Sequence, residues 1–215
     1  MAIKISIVIP SFNEANYISK CLDGFLNQNI PFEDYEVLVC DGKSTDGTQQ
    51  EVEKFEKIEG FNCRLLINEL QKTPFALNLG LKAGKGKYLS IFGDHAVPEH
   101  DFLKNSINFL DTHNEFYAVG GVLENVYENN MSKVIGKAMS SSFGVGNAYF
   151  RTGNFEGEVD TIAFGAYKKE VFEIVGYFDE NLTRNQDDEF NYRLVKNNLK
   201  MYLTSKIKAK YFVRA

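Results

Sequence analysis

The chain has 215 residues, room for one sizeable α/β domain and too few for two ordinary ones with a linker. Apolar residues make up 44% and charged residues 25%, the usage of a globular protein, which excludes a disordered, collagenous or disulfide-stapled chain. A net charge of −5 argues against a nucleic-acid partner, which needs a basic field; an anionic ligand would need a cation or a local cluster of donors.

Strand-like and helix-like segments alternate through the first half. Residues 3–9 (Ile-Lys-Ile-Ser-Ile-Val-Ile) are β-branched and almost continuously apolar, as a parallel strand buried on both faces should be, and Pro10 is expected to stop them. Tyr17, Ile18, Cys21, Leu22, Phe25 and Leu26 recur at helical spacing. A second strand follows at 35–40, a helix from about Thr45 with Val52, Phe55 and Ile58, and a short third strand at 63–67. Pro74 sits where a helix would start, and a fourth strand covers 87–92. This β-α-β-α-β-α-β order argues for a parallel sheet with helices on both faces.

The second half reads differently. Pro98 and Glu99 open a helix with Leu103, Ile107 and Leu110 on one face, and 117–127 looks like a strand. Residues 140–157, rich in Gly, Ser and Asn, read as a long mobile loop over a site, with a plain disordered connection as the alternative. A helix at 186–198 and two short strands, 200–204 and 208–213, finish the chain. The three cysteines, Cys21, Cys40 and Cys63, offer no CxxC and no histidine at ligand spacing. They read as thiols in a reducing, cytosolic compartment, with Cys40 and Cys63 buried. Met1-Ala2-Ile3-Lys4 does not resemble a signal peptide, and no run of about 18 apolar residues would span a membrane.

In an open parallel sheet, ligands bind beyond the carboxyl ends of the strands. Three polar segments follow such ends: Pro10-Ser11-Phe12-Asn13-Glu14, Asp41-Gly42-Lys43-Ser44-Thr45-Asp46-Gly47-Thr48 and Gly93-Asp94-His95. Neither GxGxxG nor GxxxxGK[ST] is present, so the dinucleotide and P-loop readings fail. Ser44 or Thr45 would serve as a helix N-cap, which accounts for most of the second segment. Asp41 is explained less well that way, because an acid at a buried strand tip needs a partner, such as the N–H of a nucleotide base. Asp94 and His95 side by side can bind a divalent cation that holds a diphosphate; a hydrogen-bonded turn histidine is the bland alternative for His95. Near the chain's end, Asn185-Gln186-Asp187-Asp188-Glu189 opens a helix. Asn185 and Asp188 resemble a capping box, which leaves Asp187 free as a general base for a sugar hydroxyl. Glu189 and Arg193 are spaced for a pair on the outer helix face.

Taken in order, these segments resemble glycosyltransferase family 2, the inverting nucleotide-sugar transferases of GT-A fold. The matches are Val8-Ile9-Pro10-Ser11-Phe12-Asn13-Glu14, the Asp41 to Thr48 segment, Asn78-Leu79-Gly80, Gly93-Asp94-His95 and Gln186-Asp187-Asp188-Glu189-Phe190-Asn191-Tyr192-Arg193, spread over residues 3 to about 200. Gly165-Ala166-Tyr167, Gly176-Tyr177-Phe178-Asp179-Glu180 and Arg184-Asn185-Gln186-Asp187-Asp188 look closest to the succinoglycan-type exopolysaccharide β-glucosyltransferase branch. The resemblance implies one GT-A domain over 1–215: a nucleotide-sugar half at 1–98 with a Rossmann-like parallel sheet, and an acceptor half at 99–215. It further implies that Pro10, Phe12 and Glu14 flank the uracil and ribose of a UDP-sugar and that Asp41 accepts the uracil N3–H. Asp94 and His95 would hold Mg2+ or Mn2+ on the diphosphate, and Asp187 would be the base, with Asp188 next in line. A saccharide or lipid-linked oligosaccharide would be the acceptor, at the cytoplasmic face of the plasma membrane.

Two positions depart from the family pattern. The DxD positions read Gly93-Asp94-His95, so the first acid is missing. Leu77 stands where many relatives carry an arginine, which leaves Lys72 to supply positive charge. Members of this branch usually continue past the equivalent of Ala215 into an acceptor-side helix and membrane segments, an extension this chain is expected to lack. Lys206, Lys208, Lys210 and Arg214 read as a solvated strand face, with contact to anionic lipid as the alternative. A sugar-phosphate nucleotidyltransferase would need a basic Gly-rich loop where Pro10–Glu14 stands. A non-catalytic nucleotide-sugar or saccharide-binding module is the remaining alternative.

Overall fold

The computed structural model of the protein describes residues 2–140, 148–153 and 155–214. Its first half is a regular alternation: β1 (Ile5–Ser11), α1 (Ile18–Leu26), β2 (Tyr35–Asp41), α2 (Thr48–Glu56), β3 (Cys63–Ile67), α3 (Thr73–Ala83) and β4 (Tyr88–Ile91). β1 lies parallel between β2 and β4, and β3 is parallel to β2, so the order is β3-β2-β1-β4. Both faces of these strands are covered. Ile5, Ile7 and Ile9 pack with Phe25 and Phe92 on one side, while Val8 and Cys40 pack with Leu77 and Leu81 of α3 on the other. That double burial is the physical reason the strands read as continuous apolar runs rather than alternating ones.

The second half turns the sheet mixed. It comprises β5 (Ala96–Pro98), α4 (Phe102–Thr112), β6 (Phe116–Tyr127), α5 (Asn130–Met139), α6 (Tyr149–Thr152), β7 (Gly157–Val159), β8 (Ala166–Lys168), α7 (Glu170–Val175), α8 (Gln186–Lys196) and β9 (Lys200–Val213). The sheet continues β4-β8-β6-β9-β5. β8 is antiparallel to β4 and β6, β6 is parallel to β9, and β7 and β5 are antiparallel to β9.

Several local expectations give way to tertiary context. Pro10 does not end β1. The strand runs on to Ser11, paired with β2, where β4 has already stopped opposite Val8 and no ladder bond is lost on that side. α2 starts at Thr48 behind Gly47 (φ +103), not behind Ser44 or Thr45; the Ser44 hydroxyl bonds Asn13 and Asp41 instead. Pro98 belongs to β5 and the following helix begins at Phe102. The last two expected strands are one, bent by a register shift between Gly120 and Val122 of its partner β6. Asn185 has φ +57 and makes no cap; the capping box is at Asn129 and Ser132 of the unforeseen α5. Of the expected loop at 140–157, residues 141–147 and 154 lie outside the described residues, and 149–152 form α6. Cys40 and Cys63 are buried, as expected, and so is Cys21; all three are free thiols. Among the described residues no helix is long and apolar enough to cross a membrane.

Candidate active site

The carboxyl ends of β1, β2 and β4 open onto a cleft of about 310 Å3 walled by Pro10, Ser11, Phe12, Glu14, Gly42, Gly93, Asp94, His95 and residues of the turn into α3. Two loops are stitched together at its rim. The Asn13 and Glu14 amides donate to Ser44 Oγ and Thr48 Oγ1, both at 2.8 Å, and the Thr45 amide donates back to Asn13 Oδ1 at 3.0 Å. Ser44, read as a cap, thus serves with Thr48 and the Thr45 amide to fix the backbone that carries Glu14. Phe12 stands half-exposed over the cleft, a flat apolar surface available to a base. Lys72 and Thr73 bring the first turn of α3 to the same wall, where the helix dipole and the lysine charge favour an anion.

Asp41 is fully buried and does not line the cleft; Gly42 does. Its carboxylate accepts from the Ser44 amide (2.9 Å), Ser44 Oγ (2.5 Å) and Gln49 Nε2 (2.6 Å). The partners that an acid at this strand tip requires are therefore supplied by its own loop and the first turn of α2.

Glu14, Asp94 and His95 offer one ligand atom each within 4.8 Å of one another. Two carboxylates and an imidazole are a hard and borderline donor set suited to Mg2+ or Mn2+. His95 Nδ1 lies 2.9 Å from Asp94 Oδ1, and its ring stands edge-on to Tyr211. Burial, and after it the neighbouring Asp94 charge, raises the Glu14 carboxyl above its ordinary range; an ion pair with Arg214 pulls the other way. Sequence alone placed Glu14 beside the ribose and Arg214 on a solvated face. Their meeting links residues 200 positions apart, and no local pattern encodes it.

Gly93 explains the departure from DxD. A Cβ there would lie 2.8 Å from the Phe164 ring, which is held between Phe92 and Tyr211. The cleft keeps a glycine because an aromatic side chain from the second half fills the space.

A second hollow, of about 170 Å3, adjoins the first through their shared residues Pro10, Thr73 and Gly93. Its wall is largely apolar (Leu77, Ile162, Phe164, Phe178, Phe190), and Gln186 and Asp187 from the start of α8 line it. Asp187 makes no hydrogen bond or ion pair among the described residues. Asp188 does not line this hollow; burial and the adjacent Asp187 charge raise its carboxyl above the ordinary range. Asn78 explains how α8 is placed. Its amide donates to the Phe178 carbonyl (2.9 Å) and accepts from the Phe178 amide (3.0 Å), tying α3 to the segment that leads into α8. Gly80, two residues on, lets α3 approach the sheet: a Cβ there would run into Val8 and come within 2.8 Å of Cys40 Sγ. Glu189 and Arg193 do pair, at 2.7 Å, but the guanidinium also reaches the Tyr177 carbonyl, so the contact braces α8 against the preceding loop rather than decorating an outer face.

The sheet order and the cleft at its carboxyl edge define a GT-A transferase fold. It superposes on TarS of Staphylococcus aureus in complex with UDP-GlcNAc with a TM-score of 0.78 at 22% identity, covering 99% of this chain and 59% of that one. The mannosyltransferase PcManGT of Pyrobaculum calidifontis in complex with GDP-Man and Mn2+ superposes with a TM-score of 0.73 at 22% identity, over 98% of this chain and 57% of the other. The description "Glycosyl transferase family 2" matches residues 6–176, and the chain belongs to that family. It is 36% identical to the dolichyl N-acetyl-alpha-D-glucosaminyl phosphate 3-beta-D-2,3-diacetamido-2,3-dideoxy-beta-D-glucuronosyltransferase of Methanococcus voltae, over 98% of this chain and 67% of that protein. It is 28% identical to the succinoglycan biosynthesis protein ExoA of Rhizobium meliloti, over 97% of this chain and 63% of the relative. The chain therefore spans about two thirds of the length of these two curated relatives. The chemistry the family shares is glycosyl transfer in the making of glycans.

Proposed function

We propose that this chain transfers a sugar, with inversion, from a UDP-sugar to a hydroxyl of a saccharide or lipid-linked saccharide. The observation that carries the reading is the pair of adjoining hollows: one presents Asp94 and His95, the other Asp187, and they share Pro10, Thr73 and Gly93. Residues 1–98 form the donor half and 99–215 the acceptor half. Pro10 and Phe12 flank the base, and Lys72 with the first turn of α3 faces the diphosphate. Asp41 holds the loop behind the base; its carboxylate meets the uracil N3–H only if that loop rearranges. Glu14, Asp94 and His95 would hold Mg2+ or Mn2+, and the imidazole tilts the choice toward Mn2+. Bound there, the cation supplies charge neutralisation for the departing diphosphate. Asp187 accepts the proton of the acceptor hydroxyl as its oxygen bonds to the anomeric carbon and the bond from that carbon to the phosphate oxygen breaks. Asp188, held toward its neutral form, is the second choice. An acceptor on a lipid carrier would bring the domain to the inner face of the plasma membrane.

The test is UDP release across common UDP-sugars with lipid-linked acceptor mixtures. Transfer that survives Asp187→Asn at the wild-type rate removes the base assignment. UDP that binds under no metal condition removes the donor reading.

A further inference from the structure

The donor cleft carries a cation of its own. Arg214, just past the end of β9, places its guanidinium against Glu14 Oε1 and 3.7 Å from Asp94 Oδ1. Both carboxylates are nearly buried, with side chains 7% and 11% exposed, while the arginine reaches them from solvent and is itself 48% exposed. These are two of the three residues that can converge on a metal. A guanidinium and a dication drawn to the same carboxylate oxygens repel each other and compete for their lone pairs, so each weakens the other's hold.

We propose that Arg214 is a displaceable stand-in for the divalent cation, competing with it for Glu14 and Asp94 and so weakening metal binding until donor arrives. The inference rests on the cation reading above and adds the residue that opposes it. Burying two carboxylates side by side is costly without positive charge, and Arg214 supplies that charge in the absence of metal. The displaced side chain has somewhere to go. It also borders a separate polar hollow of about 330 Å3 on whose wall Glu128 stands, with the Tyr17 ring 5.8 Å from the guanidinium. Glu128 is anchored there by the Tyr17 hydroxyl at 2.7 Å. Swinging past Tyr17 would exchange the Glu14 and Asp94 pair for Glu128.

The experiment is a Mn2+ titration of the donor-free full chain, with free Mn2+ followed by electron paramagnetic resonance. Arg214→Met is expected to bind Mn2+ at least about tenfold more tightly than wild type, the scale on which one charged neighbour perturbs a carboxylate. Arg214→Lys, which keeps a cation, is expected to stay near wild type. Should the Met variant fold poorly, the wild-type chain still answers: titrating Mg2+ should move the Arg214 Nε–H nuclear magnetic resonance signal in parallel with metal uptake. Equal or weaker Mn2+ binding by Arg214→Met, or an Nε–H signal that ignores Mg2+, overturns the inference while leaving the cation site standing. If no variant binds Mn2+ even with saturating UDP, the cation reading fails, and this inference with it.

Discussion

The two hollows that meet at Gly93 treat their acids in opposite ways. On the donor side every carboxylate is engaged: Glu14 by Arg214, Asp94 by His95, and Asp41 behind them by Ser44 and Gln49. On the other side Asp187 stands without a hydrogen bond or ion pair among the described residues, beside an apolar wall. The difference fits the roles proposed for the two hollows. Two carboxylates held side by side need positive charge, which Arg214 supplies in this structure and a divalent cation would supply in its place. Receiving a proton demands a carboxylate whose lone pair is still free.

The comparison is sharpest at its extremes. Asp187→Asn should lower transfer by roughly 100-fold to 10,000-fold, the usual share of a general base, with UDP affinity unchanged by calorimetry; a parallel loss of UDP affinity would put Asp187 on the donor side. Asp94→Asn should lower kcat by about 100-fold and weaken Mn2+ retention, since one stabiliser of the leaving group is removed. Asn78→Ala, remote from both acids, should cost about 1–3 kcal/mol in urea unfolding because the Phe178 amide and carbonyl lose their partner. Transfer should fall with it if α8 is placed through this clamp. Gly93→Asp, which restores an acid at the first DxD position, should destabilise by roughly 1–3 kcal/mol through overpacking against Phe164 instead of improving metal binding.

The smallest effect is the pH dependence of Asp188. Its carboxyl is raised above the ordinary value of 3.8, so the folded chain holds a proton that the unfolded chain releases. That contribution is full below 3.8 and is lost as pH rises through the raised value. Asp188→Asn should therefore melt slightly above wild type at neutral pH, with the gap closing as the solution is acidified. A gap that widens in acid would reverse the sign assigned here.

The donor half was legible because its signals are local. Residues 5–9 are apolar on both faces since two helical layers cover them, and Pro74 marks the start of α3 where a missing amide costs nothing. The polar segments after β1, β2 and β4 fall on one edge by the rule of parallel sheets, and the ordered family motifs fixed the GT-A class and Asp187 at the head of α8. Other local readings failed where a distant partner took the group. Ser44 serves residue 13 instead of capping a helix, and Pro98 was drawn into β5 by pairing with Ala209.

What the sequence determined by itself is the fold class and the identity of the acids, because hydrophobic period and motif order are properties of neighbouring residues. Tertiary structure alone decided which acids are free. Gly93 is explained only by Phe164, 71 positions later, Asn78 only by Phe178, and the state of Glu14 only by Arg214. Each pairing depends on where a mixed sheet brings the second half of the chain, and a contact between remote residues leaves no periodic trace in either.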